Sequence, residues 1–218
     1  MIPLVLFSSG LDSAVLLAEA AARFGGAQPV YVSAGLAWEA AERRMAERFL
    51  ASLPNRSGVL PMVLLNVDMR DVYPAAHWAV RGDAPGFDTP DEDVYIEGRN
   101  VVLLSKASVF AARAGLSKIL IGPLACNPFP DASPAFFEAM ARALSLGLGA
   151  TIEIDAPFLQ LRKADVIRLG RSLGVPFELT LSCMQPVDGR HCGRCSKCRE
   201  RLEGFQAAGF DDPAPYAA

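Results

Sequence analysis

The chain has 218 residues, of which 51% are hydrophobic and 21% are charged, so it can bury a full core and is not expected to be disordered. Its net charge of −3 argues against a surface built to wrap nucleic acid. The amino end has no basic, apolar leader, and no apolar stretch approaches the ~20 residues of a membrane span, so we expect a cytoplasmic protein without a membrane partner.

Apolar runs and helical patterns alternate along the chain, which predicts an α/β fold with a parallel sheet. Strand patterns occur at residues 2–7, 29–32, 59–67, 118–122 and 152–154. Helical patterns occur at residues 13–24, 36–53, 99–114, 133–147 and 162–173, and we expect the last long helix to end at Gly174. Right-handed crossovers then give a doubly wound sheet with helices on both faces and ligands at the carboxyl ends of the strands.

Two segments lack such a pattern. Residues 70–98 form a long, acidic connection, which is uncommon in a compact domain unless it serves as a lid or a binding loop. The carboxyl-terminal sequence DDPAPYAA is expected to be frayed. We therefore divide the chain into a main domain at 1–180, a cysteine-rich segment at 181–206 and a flexible tail at 207–218.

The turn SSGLDS, residues 8–13, joins the first strand to the first helix. Unpaired backbone amides and the positive end of the helix make such a turn an anion site, and its small residues let a phosphate approach closely. Alternatively, Asp12 and Ser13 simply cap the helix. The phosphate-binding patterns GxxxxGK[ST] and GxGxxG are both absent.

The turn resembles the SGGxDS loop of the ATP pyrophosphatases, which cleave ATP between its α- and β-phosphates and activate a substrate as its adenylate. Ser9 replaces the second position of that loop, where a Cβ narrows the room for phosphate and disfavours a positive φ, unless the hydroxyl compensates with a hydrogen bond. Asp12 either shares a magnesium ion with the phosphates or holds the loop by hydrogen bonds. The resemblance implies these ATP-binding residues: Phe7, Ser8, Ser9, Gly10, Leu11, Asp12, Ser13, Ala14, Val15, Leu16, Leu17 and Gly122.

Four of the five cysteines cluster near the carboxyl end, with the spacing C-x8-C-x2-C-x2-C. They are Cys183, Cys192, Cys195 and Cys198. This spacing favours a tetrahedral zinc ion in a closed structural site, although an iron–sulfur cluster uses the same thiolates and His191 is an alternative ligand. Cys126 stands apart, and we interpret it as a buried apolar residue.

Basic residues surround this cysteine cluster in an otherwise acidic protein. They are Arg190, Arg194, Lys197, Arg199 and Arg201. Such a segment is either a solvated face or a lid that contacts the phosphates of ATP or of an RNA backbone.

The order of the two motifs resembles the 7-cyano-7-deazaguanine synthase family, which makes the nitrile precursor of queuosine. The resemblance covers nearly the whole chain, through GRNVVLLSKA (98–107), ILIG (119–122), FPDASPAFFEAM (129–140), LRKADVIRLGRSLGVP (161–176) and LTLSC (179–183). It implies a five-stranded parallel sheet of the adenine nucleotide alpha hydrolase type, ATP and magnesium, one zinc ion per chain on the four cysteines, and a homodimer.

The resemblance also implies roles for individual residues. Those assigned to catalysis are Ser8, Asp12, Ser13, Arg99 and Lys163, and those assigned to the substrate are Asn100, Phe129 and Asp131. The implied reaction adenylates 7-carboxy-7-deazaguanine, converts it to an amide with free ammonia, and uses a second ATP to form the nitrile. The chain has no room for a glutaminase domain, which favours free ammonia as the nitrogen donor.

The segment VSAGLAWEAAE (32–42) and the residues before Pro130 lack polar groups that the family carries. Three alternatives therefore remain. One is a diverged relative that amidates or adenylates another carboxylate. The second is an ATP-dependent tRNA thiolase with an iron–sulfur cluster and Cys126 as sulfur carrier. The third is a non-catalytic module that binds nucleotide or RNA.

Overall fold

A computed structural model describes residues 2–54, 58–125 and 127–217, so the interpretation of Cys126 lies outside the described residues. Within these ranges the strands are β1 Leu4–Leu6, β2 Gln28–Ser33, β3 Val63–Asn66, β4 Lys118–Leu120 and β5 Glu153–Asp155. The α-helices there are α1 Leu11–Phe24, α2 Glu39–Ser52, α3 Trp78–Arg81, α4 Arg99–Arg113, α5 Pro134–Leu148, α6 Lys163–Ser172 and α7 Ser196–Ala208. Short 3-10 turns lie at Asp91–Val94, Pro130–Ala132 and Phe177–Leu179.

The strands form one parallel sheet in the order β3-β2-β1-β4-β5. The central strand, β1, pairs with both neighbours: Leu4 lies opposite Gln28 on β2 and Ile119 on β4. One apolar core joins α1, α2, α6 and α7 to the sheet, and a second joins α4 and α5 to it. The predicted doubly wound parallel sheet is confirmed.

Helix α7 differs from the sequence prediction, in which the pattern at 162–173 is the last long helix. That prediction is wrong, because a further helix follows the cysteine cluster and packs against α6. Its buried positions are Ser196, Cys198, Arg201, Gly204, Phe205 and Ala208. A stripe made of a thiol, an arginine and a glycine does not show the apolar periodicity by which helices are recognised.

The carboxyl-terminal residues 211–217 pack onto the protein, whereas the sequence predicts a frayed tail. Asp212 accepts two hydrogen bonds from Arg201, both of 2.8 Å, and the Tyr216 hydroxyl donates to Asp212 over 2.6 Å. Arg201 is only 1% exposed. A buried guanidinium needs an acidic partner, and this requirement fixes the tail. The division of the chain at residues 180 and 206 stays a prediction.

Within the described residues, no helix has the length and apolar character needed to cross a bilayer.

Candidate active site and metal centre

A cleft of about 310 Å³ lies where the central strands end. Its walls come from the turn after β1, from α2 and α4, from the connection between β3 and α4, and from the first residues of α6 and α7. This position at the carboxyl edge of the sheet is the expected ligand site of a doubly wound fold. Several residues singled out from the sequence line it: Phe7, Ser8, Gly10, Leu11, Asp12, Ser13, Arg99, Asn100, Gly122, Phe129, Asp131 and Lys163.

The turn before α1 is held by its own hydroxyl groups. The Ser8 amide donates to the Ser13 hydroxyl over 3.2 Å, and this hydroxyl donates to the Gly10 carbonyl over 3.0 Å. Gly10 is the N-cap residue, and no side chain caps the helix. The first turn of α1 therefore presents its amides and its positive dipole to the cleft, as an anion site requires.

Ser9 lies in this turn, but its side chain points away from the cleft. Its φ is +61°, its residue is fully buried, and its hydroxyl donates to the Glu42 carbonyl on α2 over 3.0 Å. Its own carbonyl accepts from the Leu181 amide over 2.8 Å. Ser9 thus adopts the positive φ despite its Cβ, and the expectation that it narrows the phosphate site is wrong.

Four other predicted ATP-binding residues also lie outside the lining of the cleft. They are Ala14, Val15, Leu16 and Leu17, which are fully buried in the core beneath the sheet. They support the helix that carries the turn, because their apolar side chains fix α1 against β1 and α6.

A chain of ion pairs runs from α1 to α7 beside the turn. The Lys163 ammonium lies 2.6 Å from Asp12 Oδ2 and 2.7 Å from Glu200 Oε1, and the Lys197 ammonium lies 2.6 Å from Glu200 Oε2. All four side chains line the cleft. Asp12 Oδ1 is buried without a hydrogen-bond partner among the described residues. The free oxygen fits a role as a ligand of a hard cation such as magnesium.

Burial alone would lower the pKa of Lys163, but the carboxylates of Asp12 and Glu200 outweigh it and hold the pKa above its ordinary value. Lys163 is therefore charged. Burial likewise opposes ionisation of Glu200, yet the ammonium groups of Lys163 and Lys197 hold the pKa of Glu200 below its usual range. Glu200 was not singled out from the sequence, although its position five residues after Cys195 places it one turn along the helix that this cysteine begins.

A second group of polar side chains faces the cleft from α2 and α4. The Tyr31 hydroxyl donates to Glu42 over 2.9 Å, and burial raises the pKa of Glu42 to about 7. Glu39 accepts from the amides of Ala34 and Gly35. The Arg99 Nε is buried without a partner among the described residues. These carboxyl groups supply polar character in the very segment that lacks the family's polar residues.

Asn100 and Asp131 hold each other. The Asn100 amide donates to Asp131 Oδ2 over 3.0 Å, and its side-chain nitrogen donates to the Asp131 carbonyl over 2.9 Å. The structure therefore brings together the two polar residues that the sequence assigns to the substrate, with one of them at the start of α4 and the other in the turn before α5.

An aromatic wall completes the cleft. Trp38 stacks on Trp78 with ring centroids 5.8 Å apart, and Tyr95 stacks on Phe129 at 5.0 Å. Trp78 and Tyr95 belong to the connection at 70–98, which therefore forms part of the cleft. Trp38, Trp78 and Tyr95 were not singled out from the sequence, because no local spacing links them to the turn.

The four clustered cysteines form a closed thiol site. Their Sγ atoms all lie within 4.8 Å of one another, with individual separations of 3.5 and 3.9 Å. Zn–S bonds of about 2.3 Å in a tetrahedron require sulfur separations of about 3.8 Å, so the site fits zinc. Backbone amides of Gln185 and Cys192 both donate to Cys183 Sγ over 3.3 Å, which favours a thiolate there.

His191 is engaged elsewhere. Its Nε2 accepts from the Ser182 amide over 3.2 Å, and burial lowers its pKa to about 4. A neutral ring in a hydrogen bond leaves the four sulfur atoms as the ligand set.

The basic segment is largely used inside the molecule. Arg199 donates to the carbonyls of Phe87 and Thr89 over 2.8 and 3.0 Å and pairs with Asp91 at 3.1 Å. Arg201 is buried against Asp212. The segment is therefore not a wholly solvated face, since Arg199 ties α7 to the acidic connection.

A family model described as queuosine biosynthesis protein QueC matches residues 2–209. The chain belongs to the QueC family. Curated QueC relatives named 7-cyano-7-deazaguanine synthase include proteins of Anaeromyxobacter dehalogenans, 37% identical over 98% of this chain and 94% of the relative, and of Azoarcus sp., 39% identical over 98% and 96%. A relative of the same name from Thermoplasma volcanium is 34% identical over 98% of this chain and 90% of its own length. The family expected from the two motifs is confirmed.

Proposed function

We propose that this QueC member is a 7-cyano-7-deazaguanine synthase that uses ATP to convert 7-carboxy-7-deazaguanine and ammonia into the nitrile. The observation that carries the proposal is the uncapped first turn of α1, which opens beside Lys163 into a cleft with an aromatic wall. The curated relatives named 7-cyano-7-deazaguanine synthase match this chain over almost their whole length.

In the proposed first step, a carboxylate oxygen of the substrate attacks the α-phosphorus of ATP, and pyrophosphate leaves. The amides of the turn and the hydroxyls of Ser8 and Ser13 would hold the departing pyrophosphate, and Lys163 would neutralise its charge. The free Asp12 Oδ1 and the phosphates would hold magnesium, which supplies further positive charge at this point.

Ammonia then attacks the acyl carbon, and AMP leaves with the former carboxyl oxygen to give the amide. The amide oxygen attacks the α-phosphorus of a second ATP and displaces pyrophosphate, and loss of AMP together with two protons from nitrogen then leaves the nitrile. Neither histidine is required as a base for amide formation, because ammonia attacks an acyl carbon that is already activated. The protein supplies mainly position and charge.

The substrate ring would occupy the aromatic wall, with Phe129 and Tyr95 against its face. Asn100 and Asp131 would present hydrogen-bonding groups at its edge, and Arg99, whose Nε has no partner among the described residues, would face the carboxylate. This arrangement supports a small, flat, anionic substrate over a macromolecular one.

Zinc is the metal we propose for the thiol site, one ion on Cys183, Cys192, Cys195 and Cys198. All four are buried and their spacing leaves no open coordination position, as in structural zinc sites. Reduced thiols in this number fit a cytoplasmic protein. The purified protein should contain one zinc ion per chain and be colourless, whereas a brown protein with visible absorbance would favour the thiolase.

A homodimer is the expected assembly, and the outer face of α5 is the surface we assign to it. Small residues and Leu146, 76% exposed, line a shallow groove there with Glu138 and Arg142. An antiparallel pair of α5 helices brings Glu138 of each copy to Arg142 of the other. Light scattering should give a dimer for the parent protein and a monomer for Leu146→Glu.

The decisive experiment is mass spectrometry of the products formed from ATP, 15N-ammonium and 7-carboxy-7-deazaguanine. The nitrile should appear with one 15N atom, together with AMP and pyrophosphate. Asp12→Asn should abolish turnover, while Asp88→Asn, which changes an exposed acid outside the cleft, should not. An amide as the final product would indicate a diverged amidating relative, and no AMP with any carboxylate would indicate a binding module.

A further inference from the structure

The zinc-binding segment carries a lysine into the cleft. Lys197 lies between the ligands Cys195 and Cys198, and its side chain lines the same cleft as the turn before α1. The sequence places Lys197 only in a basic segment that is either a solvated face or a lid over phosphates, and Lys197 belongs to neither the turn before α1 nor the set of cysteines.

We propose that Lys197 is a phosphate-binding residue of this cleft and that Glu200 is the positioning residue that holds Lys197 and Lys163 toward the same anion. The inference rests on the nucleotide site of the proposed function. It adds to that function a second source of positive charge, supplied by the metal-binding segment.

The geometry links α7 to the turn without a gap. Glu200 bridges the two lysines, with its Oε2 2.6 Å from Lys197 Nζ and its Oε1 2.7 Å from Lys163 Nζ. Lys163 in turn contacts Asp12 Oδ2 at 2.6 Å, in the first turn of α1. A group bound at the amides of that turn therefore lies beside a chain of charges that ends at Lys197.

The two lysines differ in how many of their N–H donors are already used. Each ammonium group carries three N–H donors. Lys163 uses two of them, on Asp12 and Glu200, and its side chain is 14% exposed. Among the described residues the Lys197 ammonium is paired only with Glu200, and its side chain is 30% exposed. Lys197 can thus donate to an arriving phosphate without giving up its carboxylate.

The charges of this group are balanced in the free protein, so the group does not repel an anion. Two lysines and two carboxylates cancel one another in the free protein, so the group adds no net charge to the positive end of α1. A polyphosphate with its magnesium ion brings negative charge into a partly enclosed site, where charge-assisted hydrogen bonds are stronger than in water. Of the two lysines, Lys197 has more N–H donors left for a phosphate.

Two backbone features of α7 fix the position of Lys197. Cys195 is the N-cap residue of α7, so the metal site fixes the point at which the helix begins. Farther along, Gly204 lets α7 approach α6 closely, because a Cβ there would contact the Lys163 side chain. The position of Lys197 is thus set at both ends of the helix segment that bears it.

The test measures binding of inorganic pyrophosphate and of α,β-methylene-ATP by titration calorimetry, with zinc content and circular dichroism recorded for every variant. Lys197→Met should weaken both ligands by about 10- to 100-fold, the loss expected for one charge-assisted contact. Lys106→Met is the matched control, since Lys106 is exposed on α4, outside the cleft. The Lys106→Met protein should bind both ligands with the affinity of the parent protein.

Lys197→Arg keeps the charge and should restore most of the affinity. Glu200→Gln should weaken both ligands, and the pH profile of ligand binding should also shift, because Lys163 loses one of its two carboxylate partners. Parent-like affinity in Lys197→Met, or no recovery in Lys197→Arg with the zinc retained, would overturn the inference. If the parent protein itself binds neither ligand, it is the proposed function that fails.

Discussion

Ser9 has a backbone conformation that glycine adopts at far lower cost. A positive φ costs a residue with a Cβ roughly 1–2 kcal/mol. The buried hydrogen bond from the Ser9 hydroxyl to the Glu42 carbonyl contributes a similar amount in the other direction. The serine is therefore tolerated because its side chain binds α2 and lies outside the lining of the cleft.

This balance predicts the effect of two substitutions at Ser9. Ser9→Ala keeps the strained φ and loses the hydrogen bond, so it should lower the free energy of unfolding in urea by about 1–2 kcal/mol. Ser9→Gly loses both the strain and the bond, and should change it by less than about 1 kcal/mol. Calorimetry should show unchanged pyrophosphate affinity in both. A selective loss of affinity in the folded alanine variant would mean that the hydroxyl reaches the phosphate.

Glu42 gives the protein a pH dependence that can be measured. Burial raises its pKa from 4.5 to about 7. Between these values the unfolded chain has an ionised carboxyl group and the folded chain a protonated one, so unfolding releases a proton. The free energy of unfolding therefore decreases as the pH rises from 4.5 through 7.

Glu42→Gln should remove this contribution. The stability of the variant relative to the parent protein should rise by up to about 3 kcal/mol between pH values of about 5 and about 8. Urea unfolding of both proteins across that range measures this difference in stability. His191, whose pKa burial lowers, gives a pH dependence of the opposite sign, but it is present in both proteins and cancels in the difference. Parallel stability profiles for the two proteins would show that Glu42 is ionised in the folded state.

At the scale of single residues, the sequence predicted the groups whose members lie close together in the chain. The turn at 8–13 and the four cysteines are local patterns, and the structure places the residues of each pattern together. Glu42 and Glu200 carry no such pattern, and Lys197 is one of five basic residues whose role the sequence leaves open. All three reach the cleft only through the packing of α2 and α7, which depends on contacts between residues far apart in the chain.

Among the long helices, α7 is the one that hydrophobic periodicity does not predict. Its inward positions recur at helical spacing, but Cys198, Arg201 and Gly204 occupy them. Each is suited to its own contact: the thiol to the metal site, the guanidinium to Asp212 and the glycine to the stem of Lys163. A helix whose buried face is specialised in this way looks like a polar segment in the sequence.

The contact at Gly204 can be tested by adding one methyl group. In Gly204→Ala the new Cβ would meet the Lys163 side chain and lie 3.2 Å from Ile167 Cδ1, so the free energy of unfolding should fall by about 1–3 kcal/mol. Because Lys163 must move, pyrophosphate affinity should fall as well. Gly147→Ala on α5 is the control: no atom lies near its new Cβ, and helix propensity should make it about 0.5–1 kcal/mol more stable. Equal gains in both variants would refute the close packing of α7 on α6.

For the molecule as a whole, the cysteine-rich segment and α7 join three other parts of the chain. Ser196 and Arg199 hydrogen-bond to the connection at 70–98, and Arg201 pairs with Asp212 in the tail. The Leu181 amide donates to the Ser9 carbonyl in the turn before α1. The alternation of strands and helices predicted the sheet, but these cross-links involve single side chains and backbone groups. The alternation of strands and helices therefore does not predict these cross-links.

Removal of the metal should loosen the cleft as well as the cysteine segment. Treatment with a strong chelator should lower the melting temperature and weaken pyrophosphate binding together, because α7 loses its fixed starting point and with it the placement of Lys197 and Glu200. Both properties should return when zinc is added back. A metal-free protein with unchanged pyrophosphate affinity would separate the metal centre from the cleft.

The middle position of β1 in the sheet has a consequence for synthesis on the ribosome. This strand precedes both of its neighbours in the chain, and one of them, β4, does not end until Leu120. Until that stretch has emerged, the nascent chain exposes an apolar strand with an open edge, to which other chains can add. Products of interrupted translation that stop before β4 should consequently aggregate or be degraded.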